Sequence, residues 1–136
     1  MNNRKRSEKL FETSRLLYKE VENYIKSKNW NLAVRRAQEV VELVLKGLLA
    51  EMGLDYPKVH DVGLIFAQEI KKKGLKLEES YLNKILEISS YLSRKRAPAF
   101  YFEEEFNEAH AIKCAQSAQE VLSFGEDLLK LLRGEK

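Results

Sequence analysis

The chain has 136 residues, a length that fits one domain, and 44% of them are hydrophobic, enough for a real core. Charged residues make up 33% but the formal net charge is only +3, too small to name a partner by itself. A single cysteine, Cys114, excludes an intrachain disulfide, the start carries no secretory pattern, and no apolar run approaches the roughly 20 residues that span a bilayer; the cytoplasm is the expected compartment, with no membrane partner.

With 2 Pro and 6 Gly, the composition fits helices joined by short links. Residues 1–6 are polar and basic and are expected to fray. Ser7 can cap a first helix whose Leu10, Phe11, Ser14, Leu17, Tyr18, Val21, Tyr24 and Ile25 share one face, ending near Lys26 to Asn29. The second helix, Trp30 to Gly53, has the widest apolar stripe: Ala33, Val34, Ala37, Val40, Val41, Val44, Leu45, Leu48, Leu49 and Met52. It should therefore touch several neighbours, with Asn31 as its cap and Gly53 as its left-handed end. Along the border of that stripe run Gln38, Glu42 and Lys46, one turn apart, with Glu42 in the favourable order before Lys46.

Pro57 keeps the following GLDYPKVHD segment out of helix. A third helix is expected from about Asp61 to Lys73, ended by Gly74, with its lysines at the negative end of the dipole. A fourth runs from Glu78 to about Lys95 on a narrow seam of Leu82, Ile85, Leu86, Ser89 and Leu92, and Pro98 should stop it. The aromatic loop RAPAFYFEEEF follows. Asn107 then caps a long last helix through Ile112, Ala115, Ala118, Leu122, Leu129 and Leu132, closed by Gly134. No stretch alternates with a strand period. The expected fold is all-α, a five-helix and mostly up-and-down bundle.

The familiar chemical motifs are missing: no glycine-rich phosphate loop, no cysteine pair for zinc, no Gly-x-Ser-x-Gly turn. His60-Asp61 spells a dipeptide seen in metal phosphohydrolases, but such sites need further ligands and the chain has only one other histidine, His110. Asp61 reads better as a helix cap, His110 as a surface residue, and Cys114 as a buried, inert thiol. No metal and no cofactor are expected. The cluster that carries chemistry is Arg94, Lys95 and Arg96, followed by Pro98, Phe100, Tyr101 and Phe102. Guanidinium groups grip phosphate in pairs of hydrogen bonds and aromatic rings stack on bases, so the cluster is a candidate nucleotide site. From the residues alone the plain reading comes first: these cations pair with Glu103 to Glu105 and the helix dipole, the aromatics plug the bundle end, and the acidic run argues against an open phosphate channel.

The ordered set resembles the HEPN family: the opening helix, the row AQEVVELVLKGLLAEMG with Gln38, Glu42 and Lys46, the loop ending in His60-Asp61, the Arg-rich end of the fourth helix, and AHAIKCAQSAQEVL in the last. The similarity runs over nearly the whole chain, 1–136, as one helical domain. It implies a five-helix bundle, a homodimer and a role near nucleotides or RNA. Some HEPN proteins are metal-independent endoribonucleases, often toxins; others partner minimal nucleotidyltransferases. The nuclease branch carries Arg, a short spacer, then His. Here Arg94 or Arg96 can be the arginine, but the positions that should hold the histidine are Ala99 to Phe102, with Tyr101 the one polar candidate. A phenol ionising near ~10 is a poor general base beside an imidazole. The resemblance therefore points first to a noncatalytic module that binds nucleotide or RNA, or partners a nucleotidyltransferase. A ribonuclease with a modified Arg96/Tyr101 site comes second, and a helical adaptor without nucleotide binding third.

Two geometric expectations follow. Arg94, Arg96 and Tyr101 should lie at one bundle end near Gln38, Glu42 and Lys46, with Glu42 holding an arginine through a charge-assisted hydrogen bond. Phe100, Tyr101, Phe102 and Phe106 exceed what a narrow bundle can bury, which points to a dimer interface.

Overall fold

A computed structural model describes residues 1–134. Those residues form five α-helices: α1 (Asn3–Lys26), α2 (Trp30–Glu51), α3 (Gly63–Lys72), α4 (Glu79–Phe100) and α5 (Glu108–Leu132). There is no strand among them. None of these helices is long and apolar enough to cross a membrane.

The wide stripe on α2 makes it the axis of the bundle. It packs against α1, α4 and α5 at once, and Val34, Ala37, Val40, Val44, Leu45, Leu48 and Leu49 are fully buried. Each buried valine or leucine among them contributes about 1.5–3 kcal/mol from burial. The short α3 leans mainly on α4. With α2 between them, α4 and α5 barely meet, which leaves an open groove along one side of the molecule.

Two glycines let α1, α2 and α5 come close. A Cβ on Gly125 of α5 would run into Val44 Cγ1, and one on Gly47 of α2 would stand 2.9 Å from the Phe11 ring. Both approaches are well inside carbon–carbon contact, so the backbones pass where no side chain fits.

Several helix ends differ from the sequence expectation. Asn2, not Ser7, caps α1: its side chain accepts from the Lys5 N–H, and residues 3–6 are helical. Ser7 instead lies buried inside the helix, and its hydroxyl has no hydrogen-bond partner among the described residues. The third helix begins at Gly63, where Asp61 Oδ1 accepts from the Ser89 hydroxyl at 2.7 Å and from the Gly63 N–H at a long 3.4 Å. Asn107 does cap α5, accepting from the His110 N–H. Gly53 and Gly74 have the positive φ expected of them.

Pro98 does not stop α4, which continues to Phe100. Proline removes one rung of the ladder, its own N–H to the Arg94 carbonyl, and crowds that carbonyl, but the backbone keeps its course and the ladder resumes, with the Tyr101 N–H donating to the Ala97 carbonyl at 3.0 Å. The stop comes from Phe102, held in the left-handed region at φ 54°, while the Glu103 N–H returns to the Pro98 carbonyl at 3.0 Å. That is a Schellman end with phenylalanine where glycine usually sits.

Asn31 is not a cap either. Its amide donates to the Ala99 and Glu104 carbonyls at 3.0 and 2.8 Å and its oxygen accepts from the Phe106 N–H at 3.0 Å. The first turn of α2 thereby clamps the end of α4 and the acidic loop after it. Phe106 is drawn into the core by this clamp, so it is not part of an exposed aromatic surface; Phe100, Tyr101 and Phe102 remain outside.

Candidate functional site

The border row of α2 becomes a polar relay. Gln38, Glu42 and Lys46 project from successive turns, with Gln38 and Lys46 buried. Lys46 Nζ donates to Glu42 Oε2 at 2.8 Å, and Gln38 Nε2 donates to Glu42 Oε1 at 3.1 Å and to the His60 carbonyl at 3.3 Å. The His60 ring completes the set, its Nδ1 standing 2.8 Å from Glu42 Oε1. Burial works against the charge on Glu42, but the hydrogen bonds from Lys46, Gln38 and His60 outweigh it and hold the carboxyl below its ordinary pKa.

Arg96 reaches this row from α4, though not by way of Glu42. Its Nη1 donates to Gln38 Oε1 at 2.6 Å and to Glu39 Oε2 at 3.3 Å. Gln38 stands between Arg96 and Glu42, and Lys46 and His60 already occupy the Glu42 oxygens. Glu39 also holds Arg36 at 2.7 Å, and Arg36 in turn holds Glu20 of α1 at 2.9 Å. Arg35 lies over the Phe100 ring, 4.5 Å from its centroid, and donates to the Arg96 carbonyl at 3.4 Å. Phe100 meets the Tyr101 ring edge-on at 5.1 Å. Arg96, with Arg36, Glu39, Glu42, Leu17, Leu43 and His60, lines an open cleft of about 340 Å³.

Of the three arginine and tyrosine candidates, the structure brings Arg96 to the polar row and leaves Arg94 elsewhere. Two residues apart on a helix are about 200° apart around it. Arg94 therefore faces the α4–α5 groove, about 780 Å³, beside Tyr91, His110, Lys113 and Cys114, and no hydrogen bond or ion pair engages it among the described residues. Tyr101 is 69% exposed and its hydroxyl makes no hydrogen bond among them. The surface pairing with the acidic loop is found for Lys95 alone, which donates to Glu104 at 3.0 and 3.2 Å.

A family model for the HEPN domain matches residues 7–128. The chain belongs to the HEPN family. Two solved structures share its fold: an archaeal HEPN homologue, ST0689, with a TM-score of 0.70 and 20% identity, covering 91% of this chain and 98% of that one; and TT1696 from Thermus thermophilus, with a TM-score of 0.75 and 19% identity, covering 93% and 98%. No curated protein matches the chain.

The dipeptide His60-Asp61 is split in this HEPN chain. Asp61 turns to Ser89 and the start of α3, while His60 turns to Glu42. Among the described residues no three of His, Cys, Asp and Glu stand together as metal ligands. Burial pushes the Cys114 thiol up to about 11, which keeps it protonated and unreactive. His60 is the cleft residue that sequence reasoning passed over. It comes from a loop, so no helical period links it to Glu42; only the dipeptide marked it.

Proposed function

We propose that this HEPN chain is a noncatalytic binding module that takes the phosphate of a nucleotide or RNA at Arg96, with the exposed Tyr101 ring past the end of α4 available to stack on a base. It would serve either directly or as the partner of a minimal nucleotidyltransferase. The observation that carries this reading is the hold on Arg96. A guanidinium fixed by Gln38 and Glu39 at a cleft wall, 17% exposed, is oriented before a ligand arrives. A surface arginine waving in solvent would lose that freedom on binding, at a cost in affinity. Arg94 is not part of this site.

A homodimer belongs to the same proposal. Phe100, Tyr101 and Phe102 stand exposed side by side at the end of α4, and Leu64 is exposed in the α4–α5 groove; clustered exposed apolar groups of this kind mark an interface. Sedimentation of the chain across micromolar concentrations checks this: a dimer is expected, and a monomer throughout contradicts it.

The binding reading is tested by titrating a short labelled RNA and a mononucleotide into wild type, Arg96→Ala and Tyr101→Ala. Loss of affinity in Arg96→Ala, with intact RNA recovered after incubation without metal, is the expected result. Equal affinities remove the site, and RNA cleavage that Arg96→Ala abolishes moves the chain to the ribonuclease reading.

A further inference from the structure

Four charged residues line the groove between α4 and α5: Asp61 and Glu87, Arg94 and Lys113. Their charges cancel, so the groove as a whole selects neither an anion nor a cation. Asp61 is engaged by the Ser89 hydroxyl, and the groove histidine, His110, is tied to Asn107 at 3.0 Å. Glu87, Arg94 and Lys113 are exposed, and no hydrogen bond or ion pair engages any of them among the described residues. Glu87 and Arg94 are seven residues apart on α4. That places them about 10 Å apart along the helix and within about 20° around it, on one face. Their own helix offers them no partner. Three and four residues from Arg94 stand Ser90, Tyr91, Ala97 and Pro98. The one cation at such a spacing from Glu87 is Lys84, which reaches across to Glu120 of α5 at 2.8 Å.

The groove between these charges is apolar and uncovered. Toward the start of α4 the two helices are tied, by Lys84 on Glu120 and by the Tyr81 ring against Phe124 at 5.1 Å. From Glu87 to Arg94 no hydrogen bond or ion pair joins α4 to α5 among the described residues. Leu64, Leu86 and Ile88 line this open half, and Leu64 is 59% exposed. A face with an unpaired acid and an unpaired base two turns apart is complementary to itself turned round. A two-fold axis crossing α4 between Ser90 and Tyr91 lays the helix antiparallel on its own copy. Glu87 then stands opposite the partner's Arg94, and Arg94 opposite the partner's Glu87. Ser90, a small residue, falls where the two helices come closest. A different protein would need an acid and a base at the same spacing; a second copy has them by symmetry.

We propose that the open half of the α4–α5 groove is the self-association face of this chain, with α4 packed antiparallel on the α4 of a second copy and Glu87 and Arg94 forming two reciprocal ion pairs. The proposal rests on the homodimer reading above and adds the face, the register and the pairing. Lys113, on the α5 wall, is a second cation for the same carboxylate. The exposed aromatics after Arg94 fall at the rim of the contact, beside the start of the partner's α4.

The test is sedimentation velocity of the full chain across micromolar concentrations, with thermal unfolding of each variant to check its fold. Wild type is expected to be a dimer. Glu87→Arg and Arg94→Glu each set like charges opposite one another twice, and each should weaken self-association about tenfold or more. Mixing the two variants restores opposite charges at both places, so the mixture should dimerise where neither variant does alone. The double variant Glu87→Arg/Arg94→Glu should dimerise as wild type does. Ser90→Cys, beside the axis, should join two copies by a disulfide on mild oxidation, whereas wild type, whose one cysteine is buried, should not. That cross-link decides the matter if a charge reversal fails to fold. A dimeric wild type whose single reversals dimerise equally well, or whose reversed variants do not recover on mixing, overturns the pairing and leaves the homodimer to another face. A dimer that Ser90→Cys does not cross-link overturns the register. A monomeric wild type removes the homodimer and this inference together.

Discussion

Arg96 donates to the side-chain oxygen of Gln38 at 2.6 Å, joining α4 to α2 through a residue that is itself 1% exposed. A neutral amide suits this position better than a carboxylate would. It accepts from Arg96 while donating to Glu42 and to the His60 carbonyl, so a single side chain orders three groups. Leucine at position 38 fills nearly the same space and makes none of these bonds. Gln38→Leu should therefore cost about 1–3 kcal/mol, because Arg96 and the His60 carbonyl lose a partner in a covered place. It should also weaken nucleotide binding, because Arg96 is no longer held. Urea unfolding gives the first number and a nucleotide titration the second; a variant with wild-type stability and binding would mean the amide orders nothing.

The close approach of α5 to α2 makes a sharper stability prediction. Gly125→Ala drives a methyl group into Val44 Cγ1, and the helices must shift to admit it. Overpacking of this kind costs about 1–3 kcal/mol. Leu45→Ala, at a fully buried position, should cost about 2–5 kcal/mol through transfer and cavity. Chemical denaturation measures both, and a loss of only a few tenths of a kcal/mol at either position would contradict this packing.

Phe102 is the test of what the exposed aromatics are for. It holds a left-handed backbone at φ 54° and is 65% exposed. That conformation costs a non-glycine residue roughly 1–2 kcal/mol, whereas glycine enters it without strain. Phe102→Gly should raise the stability of the isolated domain while weakening self-association. If the variant is instead less stable and dimerises as before, the ring is packing within its own chain.

The depressed pKa of Glu42 sets a pH window. The unfolded carboxyl titrates near its ordinary 4.5 and the folded one lower, because hydrogen bonds from Lys46, Gln38 and His60 outweigh the cost of burial. The unfolded state therefore binds the proton more readily. The stabilisation is complete above 4.5 and is lost as pH falls from there through the folded value. Wild type should lose stability on acidification across that window, and Glu42→Gln, less stable at pH 7, should lose less. Parallel stability–pH curves for the two proteins would contradict the assignment.

Helix number, helix type and the central place of α2 were legible in the sequence because the Val34–Leu49 stripe repeats at three and four and leaves one way to bury itself. The helix ends were less so. Asn31 looks like a cap because asparagine near a helix start usually is one; its real partners, Ala99, Glu104 and Phe106, are far along the chain and leave no local mark. Pro98 looks like a stop because proline costs a helix one hydrogen bond, but α4 absorbs that loss for one more turn, and the actual stop, the left-handed Phe102, is a residue type that gives no such signal. At the site, the meeting of Arg96 with the α2 row could be expected from the bundle's geometry. That Gln38 and Glu39 receive it could not, since Glu42, Gln38 and Glu39 lie within about one turn and their choice of partner depends on helix rotation. Arg94 and Arg96 look equivalent in a run of three cations; the helix sends them to different faces.

The central claim is that Arg96 meets a phosphate, and salt tests it most directly. Binding of a fluorescent 5′-phosphorylated short RNA is measured by anisotropy for wild type and Arg96→Ala across a range of salt concentrations. Each phosphate contact to a single strand adds roughly 0.7 to the slope of log affinity against log salt. A phosphate held by Arg96 predicts weaker binding for Arg96→Ala with a slope shallower by about that amount. Equal slopes and equal affinities for the two proteins would contradict it.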